Sequence, residues 1–147
     1  MPDTGPHVGL ATFCDKALLE RDGVLSVIRA IDRLTVVAQG GEAPAELPQE
    51  HKINPTLVIG LRSDQALGRH QLIIEGEEPD GNRLPSAKFD LMFEGGERGI
   101  NIVAPIVLNA KEGLYWFTVK LGDQLLTKVP LRVIYQRMPT LGQSPPG

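Results

Sequence analysis

Three histidines, one cysteine and a few neighbouring carboxylates are the side chains on which chemistry would rest in this chain, and their spacing argues against most of it. His7, His51 and His70 stand far apart, and none has a Cys or a second His at the short intervals that let one segment wrap a metal ion. No metal site is expected. Cys14 is followed by Asp15; a neighbouring carboxylate raises a thiol's pKa, whereas a nucleophilic thiol needs positive surroundings. Cys14 therefore reads as a buried structural residue. Glu77 and Glu78 precede a turn and read as a solvated rim, since glycoside chemistry needs two carboxylates facing across a cleft. The pairs Gly40-Gly41 and Gly95-Gly96 sit in loop or turn contexts, and the chain holds no nucleophile elbow, phosphate loop or dinucleotide fingerprint. An enzyme would need His70 or Asp32 to converge with a nucleophile on one pocket. No catalytic residue and no cofactor are assigned.

Two places remain where charge or aromatic surface carries meaning. Asp32 and Arg33 are adjacent where a strand's alternation slips, and read as a structural or surface ion pair. Trp116 alternates with Tyr115 and Phe117 and so shares its side of a strand with Leu114, Thr118 and Lys120. Either it lies on an outer sheet face, where exposed aromatics mark binding patches, or a loop covers it. Trp116, Leu114 and Lys120 form the candidate interaction surface.

The elements that position these residues read as β throughout. Short apolar segments with period-two alternation are separated by most of the Gly and Pro residues. Asp22-Gly23 predicts a hairpin into a long strand over 24–37, with a bulge near 29–32 where the phase slips. The Gly, Pro, Glu and Ala rich stretch 39–52 is a long connection, with a short helix at 46–51 opposed by Pro48. Ile53, Pro55, Leu57, Ile59 and Leu61 share a face of the next strand, and Leu72 and Ile74 supply the interior of another over 70–77. After the turn at 79–82, Ala87, Phe89, Leu91 and Phe93 alternate with polar partners; Gly95, Gly96 and Gly99 are expected to turn the chain into Ile100, Ile102, Ile106 and Leu108, with a bulge at Pro105. The hairpin 114–135 closes the fold, with Tyr115, Phe117, Val119 and Leu121 facing one core with Leu125, Thr127, Val129, Leu131, Val133 and Tyr135. About eight strands at intervals of roughly ten to fifteen residues, with no helical stretch between them, predict an antiparallel β-sandwich.

With 147 residues, 41% of them hydrophobic and 22% charged, the chain has the length and composition of one folded domain. The expected organisation is a flexible N-terminus over 1–7, a sandwich domain over 8–136 and a flexible tail over 137–147. Fifteen basic against eighteen acidic residues give a net charge of -3, with basic residues scattered singly, so no nucleic-acid partner is expected. No apolar run approaches the roughly 20 residues of a membrane helix, and the first residues lack a secretory signal's basic start and apolar stretch. A single cysteine fits a reducing compartment, and the expected location is the cytoplasm.

The residues Cys14-Asp15, Asp22-Gly23, Ser26 and Asp32-Arg33, with 112–117 (Glu-Gly-Leu-Tyr-Trp-Phe) and 130–133 (Pro-Leu-Arg-Val), resemble a bacterial family of small uncharacterised β-sandwich proteins. The resemblance spans nearly the whole chain, and the Tyr115 region is similar to the last hairpin of immunoglobulin-like domains, where a Tyr anchors the corner. It implies an immunoglobulin-like fold and a bacterial cytosolic setting, with no activity and no site residues. The expected function is a non-enzymatic interaction or structural module, binding an unknown protein partner or a second copy. The alternative is a sandwich that binds a small molecule or carbohydrate by stacking on Trp116.

Overall fold

The computed structural model describes residues 5–41 and 43–138. The tail expected to be flexible lies, from residue 139 onward, outside the described residues, as do residues 1–4. Among the described residues there are nine strands and no helix: β1 (His7–Leu19), β2 (Leu25–Ile31), β3 (Arg33–Gln39), β4 (Lys52–Ile53), β5 (Thr56–Glu77), β6 (Ala87–Pro105), β7 (Leu108–Asn109), β8 (Gly113–Leu121) and β9 (Gln124–Met138). The short β4 and β7 pair with each other, and the other seven form one continuous hydrogen-bonded sheet.

That sheet folds over itself into two layers because β5 and β6 are long enough to serve both. The first half of β5 pairs with β1, its second half with β8, and β6 runs antiparallel beside it throughout. One layer is therefore β2-β1-β5-β6 and the other β6-β5-β8-β9-β3. The crossing falls where the β5–β6 register shifts, at Asp64, a non-glycine residue at φ 53°, opposite Gly95 and Gly96 at positive φ. Glycine accepts this conformation without steric cost. Here the sequence expectation is corrected: Gly95, Gly96 and Gly99 do not turn the chain. They let one strand bend, so the segments expected as separate strands over 53–61 and 70–77, and over 87–93 and 100–108, mostly join as β5 and β6.

The core is the closed space between the layers. Leu57, Ile59 and Leu61 face it from one layer, and Leu72, Ile74, Tyr115, Phe117, Val119 and Leu131 from the other. Phe13 on β1 meets Phe117 on β8 edge-on, with ring centroids 5.0 Å apart, which ties the two layers directly. The domain is an all-β sandwich. Tyr115, at the start of β8, is fully buried, and its hydroxyl accepts a hydrogen bond from the Lys111 amide (2.9 Å) and donates one to the Asn109 carbonyl (3.1 Å). This is the tyrosine corner of immunoglobulin-like sandwiches.

Two further expectations change. The slip at 29–32 is more than a bulge, because the chain leaves β2 at Asp32 and crosses to the other layer, where β3 pairs in parallel with β9. In the closing hairpin Leu126 is an extra residue between the pairs Val119–Thr127 and Lys120–Leu125. That single insertion reverses the alternation, so Leu125, expected in the core, is 54% exposed on the outer side.

The β1–β2 hairpin is curled. From Leu10, opposite Gly60, to Cys14, opposite Thr56, β1 runs away from Asn101, which pairs with Gly60. The hairpin turn is nevertheless beside Asn101, whose side-chain amide donates to the Gly23 carbonyl at 3.1 Å. The ribbon thus folds back across the outer face of the first layer. Cys14 and Val58 face outward from that layer by register, yet both are fully buried and lie apart from the main core.

Candidate interaction surface around Trp116

The tight alternation of β8 that sends Tyr115 and Phe117 inward forces Trp116 outward, and it is 40% exposed. Among the described residues no loop covers it fully. On its strand Leu114 is half-buried and Lys120 half-buried, both on the same outer side. Across the sheet Trp116 is opposite Glu77 of β5 and Pro130 of β9. Leu114 is paired with Arg132 and Thr118 with Lys128, so a cation lies diagonally on each side of Pro130. Lys128, Pro130 and Arg132 take the outer side that their alternation with Val129, Leu131 and Val133 gives them, and the bulge that moves Leu125 outward sets which residue of β8 each one faces.

Beside Trp116 a groove of about 400 Å³ runs over the same face, lined among others by Glu75, Arg83, Thr118, Lys120 and Lys128. Lys120 Nζ is 2.7 Å from Glu75 Oε1, and Arg83 reaches the other carboxylate oxygen at 3.8 Å. The hydrogen bond and charge of Lys120, with a smaller contribution from Arg83, hold the Glu75 carboxyl below the usual range. Glu75 thus neutralises Lys120. Lys128 and Arg132 make no ion pair among the described residues.

The other singled-out residues do not join this surface. Asp32 and Arg33 form an exposed pair, Arg33 Nε to Asp32 Oδ1 3.4 Å, at the crossing from β2 to β3. Cys14 is buried, and burial first, then Asp15, pushes its thiol up, which opposes nucleophilic use. His7 Nδ1 is 2.7 Å from Asp64 Oδ2, while His70 lies against Phe93, ring centroids 5.5 Å apart, with Nε2 3.0 Å from the Leu67 carbonyl. Among the described residues no three His, Cys, Asp or Glu side chains group to hold a metal ion.

Sequence reasoning missed one cluster. Glu78, read as rim, binds Lys111 Nζ at 3.1 Å, and Asp80 binds the same nitrogen at 3.1 Å. The Asp80 carboxyl is lowered by the Asn82 amide and then by Lys111, and Lys111 is raised by Asp80 and Glu78. The cluster sits on the loop behind the tyrosine corner and pins the 79–82 turn to the approach of β8. No sequence signal links residues so far apart along the chain.

Residues 9–134 match the model of a family described as a family of unknown function, DUF6941. The chain belongs to that family. No curated protein matches this DUF6941 member. Among solved structures it is similar to an immunoglobulin-like protein from Pseudomonas aeruginosa, at 13% identity and a TM-score of 0.44, covering 88% of this chain and 96% of that one. The family assignment agrees with the uncharacterised group that the sequence resembles. No helix among the described residues is long and apolar enough to cross a membrane.

Proposed function

We propose that this DUF6941 protein is a non-enzymatic binding module whose contact surface is the outer face of β8 and β9 centred on Trp116. The observation that carries the reading is a 40% exposed tryptophan, paired across the sheet with Pro130 and flanked by cations, on a hydrogen-bonded sheet face. Large aromatics held on a rigid element bury much area at little entropic cost, which is how interface anchors work. The buried Cys14, the only cysteine, supports action in a reducing compartment.

The test compares the full chain with Trp116→Asp and with Leu67→Asp, a control at an exposed leucine on β5, as baits in native lysate and in light scattering after size exclusion. A partner or second copy retained by the wild type and the control but lost with Trp116→Asp is the expected result. Equal retention by all three, or a strict monomer that retains nothing, contradicts the reading. The groove beside Trp116 favours a second reading, a small ring-bearing ligand; saturable change in Trp116 emission with a ligand, and no macromolecular partner, would select it.

A further inference from the structure

We infer that the occupant of the Trp116 face is an acidic polypeptide segment, an inference that rests on the binding-module reading above. The residues sharing Trp116's side of β8, β9 and β3 include Lys120, Lys128, Arg132 and Arg33 and no carboxylate. Glu75 already neutralises Lys120, and Asp32 pairs with Arg33. Lys128 and Arg132 are left, one on each side of Pro130, directly across from the indole. An extended segment laid over Trp116 and Pro130 sets an apolar side chain on the ring and carboxylates beside the two cations. Docking is by the face and not the edge. β3 joins β9 only from Arg132 onward, so the earlier part of β9 is a free edge, and Pro130 has no N–H to offer an added strand. Glu77 on β5 borders the face and directs the acidic segment toward the β9 side. A nucleic-acid strand needs a longer cationic track with several stacking rings, whereas here two cations unpaired among the described residues flank one.

The test uses two labelled peptides that differ only in charge, Gly-Glu-Glu-Phe-Glu-Glu-Gly and Gly-Lys-Lys-Phe-Lys-Lys-Gly, titrated with the full chain and followed by anisotropy and by emission of Trp116, the sole tryptophan. The wild type is expected to bind the acidic peptide with a change in Trp116 emission. Binding should weaken with salt as the Debye length shrinks, and fall about tenfold in K128E/R132E, which should then prefer the basic peptide. Both substituted residues are exposed, so an unchanged denaturation midpoint shows that the variant folds. A wild type that ignores the acidic peptide, binds both alike, or releases it to an equimolar thymidine oligonucleotide overturns the inference. Preference for the basic peptide at a face still sensitive to Trp116→Asp overturns the charge assignment alone; acidic-peptide binding that survives Trp116→Asp overturns the face as well.

Discussion

At the scale of residues, adjacent side chains on β8 carry opposite duties. Tyr115 is sealed in the core with its hydroxyl doubly hydrogen-bonded, so Tyr115→Phe leaves the Lys111 amide and the Asn109 carbonyl without their partner and is expected to cost about 1–3 kcal/mol in urea unfolding. Trp116→Ala, by contrast, is expected to cost under about 1 kcal/mol while abolishing partner binding. A large stability loss at Trp116 would mean that the ring is structural. The Lys111 cluster sets a pH dependence. Asp80 is depressed from its ordinary value of 3.8, so its contribution is present above that value and lost as pH falls through the lower folded pKa. Lys111 is raised from 10.5, so its contribution holds below that value and is lost as pH rises through the higher folded pKa. In Lys111→Met both slopes, the acid one below about pH 4 and the alkaline one above about pH 10.5, should flatten in pH-resolved unfolding.

At the scale of elements, the outer part of the curled β1–β2 hairpin, residues 14–30, contributes no side chain to the main core, which β1 reaches through Phe13. Its turn is tied to β6 through Asn101, and beneath it lies the chain's only thiol. Asn101→Ala is expected to speed labelling of Cys14 by an aromatic disulfide several-fold while changing global stability by less than about 1 kcal/mol, because local opening draws on fewer contacts than unfolding. An unchanged labelling rate would show that the cover does not depend on this tie. The hairpin turn at Gly23, the inward set Tyr115, Phe117, Val119 and Leu121, and the outward Trp116 were all legible from spacing, since period two fixes which side each residue takes. What spacing did not convey was where a strand bends and carries on. Gly95 and Gly96 look the same in sequence whether they close a turn or relieve a bend, and only pairing with Asp64 across β5 decides. One inserted residue, Leu126, likewise hid the outward placement of Leu125 and the cross-strand partner of Lys128; alternation with Thr127, Val129 and Leu131 puts Lys128, Pro130 and Arg132 on the outer side, but does not fix which of them stands opposite Trp116. Asp32, read beside a bulge, proved to mark a change of layer, because parallel pairing of β3 with β9 is a long-range choice.

At the scale of the whole molecule, the two layers divide their labour. Both bury apolar side chains between them, but the outer face of the first is covered in part by its own hairpin, while that of the second presents Trp116 with Lys128 and Arg132. With a net charge of -3 over the whole chain, the carboxylate-free strip on β8, β9 and β3 is the local exception on which the proposed acidic segment would have to dock. Amide chemical-shift mapping of the full chain during titration with the acidic peptide tests this most directly. Shifts are expected to concentrate in 114–120 and 128–132. Shifts confined to the β1–β2 hairpin and the first layer, with Trp116 unmoved at saturation, would contradict it.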